Sequence, residues 1–298
     1  MNKHYARVYP AVVTPMNADG SFNYEAAKKH VDWLISEGLT GLGLLMAAGE
    51  YQSVTLEEHK AYIREMVPYV KGRASVIVGA TRERPEDVVE LMENAREAGA
   101  DAAMVLPSYY YHMGQSELIE QYKYINDHSG LDIMVYNNPV HSSPIELDTI
   151  EEICKLERVK IIKESSCKID VMTDYIFRIP DKVGMMCGCD YLLYPAYVTG
   201  ATGWISMTAN ILPRLSADFH KAMLEEHDFA KGFELYKKLW PVLTVVERFP
   251  KPTQAVKYIL KEVLGIDAGT VRRPRHELSD DEKRYVLETT NIQALVKE

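Results

Sequence analysis

The sequence predicts a parallel α/β barrel. Eight short apolar runs alternate with amphipathic stretches, no dinucleotide-type glycine loop follows the first run, and 298 residues is a length that eight such units fill. The runs lie at 8–13, 41–46, 75–80, 102–106, 132–136, 159–163, 183–187 and 203–206. They are rich in Val, Ile, Leu, Ala and Met, the content of strands covered on both faces. Between the first runs, residues 24–37 repeat Ala27, Val31, Leu34 and Ile35 at helical spacing. Leu56–Val70 does the same with Ile63, Met66, Val67 and Val70, and Pro85–Ala98 with Val88, Leu91, Met92 and Ala95. Helix ends are marked as well. Thr55 and Glu58 form a capping box, Pro85 suits a first turn, and Gly38 and Gly99 stand where helices stop. The alternative, an open doubly wound sheet, lacks its Gly-x-Gly-x-x-Gly signature here.

After about residue 210 the apolar runs cease. The expected organisation is therefore a (β/α)8 TIM barrel over 1–210 and, over 211–298, a C-terminal extension of helices broken at Pro213, Pro241, Pro252 and Pro274.

Composition narrows the function. The chain is 47% hydrophobic and 26% charged, ordinary for a soluble globular protein, and its net charge of −9 argues against nucleic acid or an anionic membrane as partner. The first residues lack the apolar stretch of a signal peptide, and no window has the length of a membrane span. The four cysteines, Cys154, Cys167, Cys187 and Cys189, fit reduced thiols in a cytoplasmic enzyme. Cys187-Gly188-Cys189 has no second Cys/His pair at metal-site spacing, so no metal is expected.

Barrels of this kind carry their active sites at the C-terminal ends of the strands. That rule selects Ala47-Ala48-Gly49-Glu50, Thr81-Arg82, Tyr109-Tyr110-Tyr111, Tyr136-Asn137-Asn138-Pro139, Lys163-Glu164, Gly188-Cys189-Asp190 and Ser206-Met207-Thr208. Lys163 is the informative member. It closes the run Val159-Lys160-Ile161-Ile162, and an ammonium carried into a barrel loses solvation, which favours the free amine that attacks carbonyls. The competing reading of this segment alone is a lysine paired with Glu164 or left in water.

Taken together, these pieces resemble the dihydrodipicolinate synthase / N-acetylneuraminate lyase family of class I aldolases. Gly49-Glu50, Tyr109-Tyr110, Tyr136-Asn137-x-Pro139, Lys163-Glu164, Gly188-x-Asp190 and Ile205-Ser206-Met207-Thr208-Ala209-Asn210 fall in the family's order over nearly the whole chain. The resemblance implies that Lys163 forms an imine with a 2-oxo acid and that Tyr136 moves protons beside it. It implies that Tyr110 reaches into a neighbouring subunit's site within a homotetramer, a dimer of dimers. Ala47, Ala48 and Gly49 hold the substrate carboxylate through backbone amides, and His141, Asp190 and Ile205 border the substrate. Glu50 is a support residue. No cofactor is needed, because the imine supplies the electron sink.

Three departures bear on the substrate. Ala47 and Ala48 stand where the family carries hydroxyl residues, one of which contacts the carboxylate while the other links the tyrosines in a proton relay. His141 stands where a dihydrodipicolinate synthase has an arginine, and Tyr191 where a neuraminate lyase has an acid. With Met46, Tyr111 and Trp204 expected near the mouth, these point to a 2-oxo acid with a less charged tail, such as a 3-deoxy sugar acid or an aryl-substituted pyruvate. The authentic synthase activity is an alternative. So are a non-catalytic 2-oxo acid binder and a metal-dependent aldolase drawing on His59, His112, His128, His141 or Asp190.

Overall fold

A computed structural model describes residues 4–295. Its centre is one eight-stranded sheet of parallel strands: β1 (Val8–Pro10), β2 (Gly41–Leu44), β3 (Ser75–Gly79), β4 (Ala102–Val105), β5 (Asp132–Asn137), β6 (Val159–Glu164), β7 (Gly184–Cys187) and β8 (Gly203–Ser206). From β2 to β8 each strand pairs with its sequence neighbour, and β1 pairs with β8. The circle closes through the residues just past β1. Ala11 N–H donates to Ser206 at 2.7 Å, Val12 N–H donates to Gly43 at 2.8 Å, and Ala11 bridges Gly43. The predicted strand at 8–13 is thus shorter as a regular ladder, but its extra residues still pair.

Helices α1 (Tyr24–Ser36), α2 (Leu56–Val70), α3 (Pro85–Ala98), α4 (Gln115–His128), α5 (Leu147–Lys155), α6 (Ile169–Arg178), α7 (Leu193–Thr199) and α8 (Pro213–Leu224) alternate with the strands. The expected local signals act as predicted. Thr55 and Glu58 cap α2 reciprocally, Pro85 opens α3, and Gly99 ends α3 with φ +97°, a backbone angle that favours glycine.

Beyond the barrel lie α9 (Phe229–Arg248), α10 (Pro252–Glu262), α11 (Asp280–Thr290) and α12 (Ile292–Leu295). Pro213 and Pro252 open helices, as a residue without an amide proton does best. Pro241 departs from expectation: it sits inside α9 and does not end it. The carbonyl it leaves unpaired, four residues earlier, belongs to exposed Lys237, where water can satisfy it. Among the described residues no helix is long and apolar enough to cross a membrane.

The core includes two fully buried histidines, His30 and His59, and a half-buried one, His220, bonded to the Tyr197 hydroxyl, and burial lowers their pKa values from 6.5 to about 4, 3 and 4. For each, the unfolded chain takes up a proton before the folded one. Stability held above pH 6.5 is therefore lost as pH falls toward the folded value, at about 1.4 kcal/mol per pH unit per histidine. The variant His30→Leu is expected to flatten the fall in unfolding free energy between pH 6.5 and 5 by about that slope in urea titrations. An unchanged slope would show that His30 does not contribute.

Candidate active site

Alternation along β6 decides the fate of its two charged residues. Lys163 and Glu164 are neighbours and so face opposite ways. Glu164 turns toward the helices, where its carboxylate accepts from the Asn137 amide at 2.6 Å and from the Ser166 backbone. Burial raises its pKa against those donors. Lys163 turns into the barrel, 6% exposed, and pairs in register with Tyr136 of β5. Its Nζ lies 3.9 Å from the centroid of the Tyr136 ring. The alternative pairing of Lys163 with Glu164 is therefore absent.

Tyr136 is also buried, and its phenol oxygen accepts from the Asn138 side chain at 2.7 Å. Gly188 gives the lysine its passage. A Cβ there would lie 2.8 Å from Lys163 Cε and 2.0 Å from Ser165 Oγ, so only glycine fits beside the stem. Asp190 lies just beyond. Its oxygens accept from Trp204 Nε1 at 2.6 Å, from the Met207 and Thr208 amides at 3.1 Å and from the Thr208 hydroxyl at 3.1 Å. This carboxylate is used up in fixing the loop after β8. The same loop holds the barrel seam, since Asn210 accepts from Val13 N–H and donates to Ala11. Ile205, on β8, is buried opposite Tyr9.

The loop after β2 forms one turn of 3-10 helix, Ala47–Gly49. The leading amides of such a turn, those of Ala47 and Ala48, have no acceptor within it. The turn is bracketed by two non-glycine residues with left-handed backbones, Leu45 at φ +46° and Glu50 at φ +62°. Each such residue costs about 1–3 kcal/mol unless its surroundings hold it. The holding group is Glu50, fully buried. Its carboxylate accepts from Lys257 Nζ at 2.7 Å, from the Arg272 amide at 3.1 Å and from Arg275 at 3.0 Å. Lys257 also donates to the Thr14 and Thr270 carbonyls at 2.8 and 2.6 Å, and burial lowers its pKa.

Other expected residues divide. Tyr110 and Tyr111 are 75% and 77% exposed and touch each other edge to face, while the Tyr109 and Tyr110 amides are fixed by Glu83. His141 is exposed on the turn after β5. Met46 and Trp204, expected at the mouth, are instead withdrawn into the core, the indole being spent on Asp190. His59 lies behind the site and accepts from Arg82 at 3.1 Å through Nδ1, the tautomer this contact requires.

One phenol was not anticipated. Tyr51 is 5% exposed and hydrogen-bonded to Thr81. Burial raises its pKa, and the neighbouring Tyr109 and Tyr136 phenols raise it further. Its signal in the sequence is only its place two residues past Gly49. The loops after β6 and β7 bring together a second unanticipated group, Cys167, Cys189 and Glu247.

With this geometry in hand, comparison with known proteins decides the lineage. The profile of the dihydrodipicolinate synthetase family matches residues 4–293. The chain belongs to that family. Its members are class I aldolase-type lyases. A 4-hydroxy-tetrahydrodipicolinate synthase of Methanosphaera stadtmanae is 30% identical over 294 residues, covering 95% of this chain and 97% of that one. Another, from Novosphingobium aromaticivorans, is 34% identical over 268 residues, covering 89% and 90%. The crystal structure of dihydrodipicolinate synthase from Aquifex aeolicus superposes with a TM-score of 0.89 at 27% identity, covering 97% of this chain and 98% of that one.

Removing the cation under the β2 loop tests its support. Lys257→Met leaves Glu50 buried beside Arg275 alone. It is expected to lower unfolding free energy by about 1.5–3 kcal/mol in chemical denaturation, the scale of a lost hydrogen bond to a charged group where a second cation remains. A loss under about 1 kcal/mol would mean that the pair does not hold the loop.

Proposed function

We propose that this lyase binds its 2-oxo acid as an imine on Lys163, with pyruvate or a pyruvate-type fragment as product or donor. The observation that carries the reading is the Lys163 amine 3.9 Å from the Tyr136 ring centroid, inside the barrel and on the face away from Glu164. The amine attacks the keto carbon, water leaves, and a protonated imine forms. That imine draws electrons onto the next carbon, C3. Either the C3–C4 bond breaks, C4 leaving as a carbonyl as its hydroxyl gives up a proton, or C3 loses a proton. The enamine formed in that second case expels a C4 hydroxyl as water. Reprotonation and hydrolysis return the lysine.

Tyr136 has the position to move the protons. Its oxygen accepts from Asn138, which leaves the phenol's own proton free to be given toward the lysine side. Tyr51 is the support for a changed relay: where relatives of this kind use loop hydroxyls, Ala47 and Ala48 offer none, and a buried phenol near Tyr136 and Tyr109 stands in. The Ala47, Ala48 and Gly49 backbone is assigned to the substrate carboxylate, an anion site built of amides. Ile205 borders that carboxylate. Asp190 acts through the loop it fixes.

The exposure of Tyr110 supports a role outside its own subunit, in an active unit of at least two copies and a homotetramer overall. Four free cysteines fit a cytoplasmic enzyme. His141, on the exposed turn, and the absence of an arginine there favour a less charged second substrate than that of a dihydrodipicolinate synthase. The second reading is that synthase activity itself, which the names of the relatives favour.

Borohydride added with pyruvate is expected to fix one adduct on Lys163, located by peptide mass spectrometry, and Lys163→Ala to abolish it. An adduct on another lysine, or none, overturns the proposal. Turnover on a panel of 2-oxo acids is expected to fall about 100-fold or more in Tyr136→Phe and by at least about 10-fold in Tyr51→Phe, the scale of a lost proton-transfer group. Equal activity of Tyr51→Phe would remove Tyr51 from the relay while leaving the imine intact.

A further inference from the structure

The loops after β6 and β7 and the end of α9 bring Cys167 Sγ, Cys189 Sγ and a Glu247 oxygen within 4.8 Å of one another. The three residues come from positions 167, 189 and 247 and serve no part of the imine chemistry described above. We propose that they form a binding site for a thiophilic divalent cation, zinc by preference, at the rim of the barrel beside Lys163.

Four features carry this. The donor set is two sulfurs and a carboxylate oxygen, which suits zinc and is poor for magnesium or calcium. The atoms are already collected, so little chain need move. Cys167 is held at φ +59°, a left-handed backbone for a non-glycine residue, and Cys189 is 1% exposed, so both sulfurs are fixed in direction. The carboxylate is anchored too, because Glu247 accepts from the Asp190 amide.

The third cysteine of the region is excluded by geometry. Cys187 is fully buried, and its sulfur donates to the Cys189 carbonyl at 3.2 Å. The sequence spacing Cys187-Gly188-Cys189 thus misleads: β7 ends at Cys187, whose sulfur is spent on the Cys189 carbonyl, and the partner of Cys189 comes from the preceding loop.

Both cysteines bind as thiolates, giving their protons to solvent, and Glu247 binds as a carboxylate. Three protein ligands leave one position of a tetrahedral zinc for water or an oxygen ligand. Cys189 follows Gly188, which abuts the lysine stem, and Lys163 acts electrostatically on Glu247. The cation therefore stands next to the imine site without being needed for it.

The test uses the full chain, stripped with a chelator under reducing conditions and titrated with Zn2+ against a chromophoric competitor, then with Co2+. One zinc per chain is expected, and a cobalt spectrum with thiolate charge-transfer and tetrahedral d–d bands. Cys167→Ser and Cys189→Ser are each expected to weaken zinc by about 100-fold and Glu247→Gln by about 10-fold, while Cys187→Ser changes it less than about 2-fold. Should Cys189→Ser fail to fold, the half-buried Cys167 carries the test, with circular dichroism to confirm the fold. Zinc bound no more tightly by the parent than by the Cys167→Ser variant overturns the proposal. So does a Cys167–Cys189 disulfide that forms in air from the chelated protein when zinc is present in excess. Neither readout depends on Lys163 turnover, so failure here leaves the imine reading standing.

Discussion

The buried ion pair of Glu50 and Lys257 is the contact on which the mouth of the barrel depends. It joins residues 207 positions apart, one on the loop after β2 and the other on α10, and it does so out of water. Two charges moved into such a place are costly unless their remaining valences are filled. Here they are: Lys257 has three acceptors, and Glu50 has three donors. The filled network holds the strained turn Ala47–Gly49. Helix α10 is therefore tied to the strained turn after β2, because without Lys257 the Glu50 carboxylate would keep Arg275 as its one charged partner.

The chemistry rests on a second constraint, the two-residue period of a strand. Because Lys163 and Glu164 fall on opposite faces, one strand supplies both an amine inside the barrel and an acid that ties β5 to β6 outside it. Inside, the amine lies over an aromatic ring and not against a carboxylate. A ring face offers a weaker and more direction-tolerant attraction than a carboxylate would. Gly188 completes the arrangement by leaving room for the stem.

Much of this was legible in the sequence. Every strand began at or within one residue of its apolar run, because buried parallel strands advertise themselves by composition, and α2 and α3 were bounded by their caps. Strand ends were less legible, since ladder closure at Ala11 and Val12 depends on partners from β2 and β8. Pro241 looked like a break and was not, because what decides is whether water reaches the freed carbonyl. Within the site, Lys163 and Tyr136 were legible from their strand-end positions. Lys257, Tyr51 and the Cys167–Cys189–Glu247 cluster were not, because each depends on a contact between distant segments that no local spacing encodes.

The alanines at 47 and 48 then take on a different meaning. Read alone, they subtract two hydroxyls from a proton path. In the folded chain the loop continues into Tyr51, whose phenol is buried against Thr81 and within the influence of Tyr109 and Tyr136. Burial holds that phenol in its neutral form, able to donate and accept at once, which is what a relay member between two other phenols requires. On the proposed reading, the hydroxyl that Ala47 and Ala48 lack is supplied three or four residues along by an aromatic side chain, Tyr51.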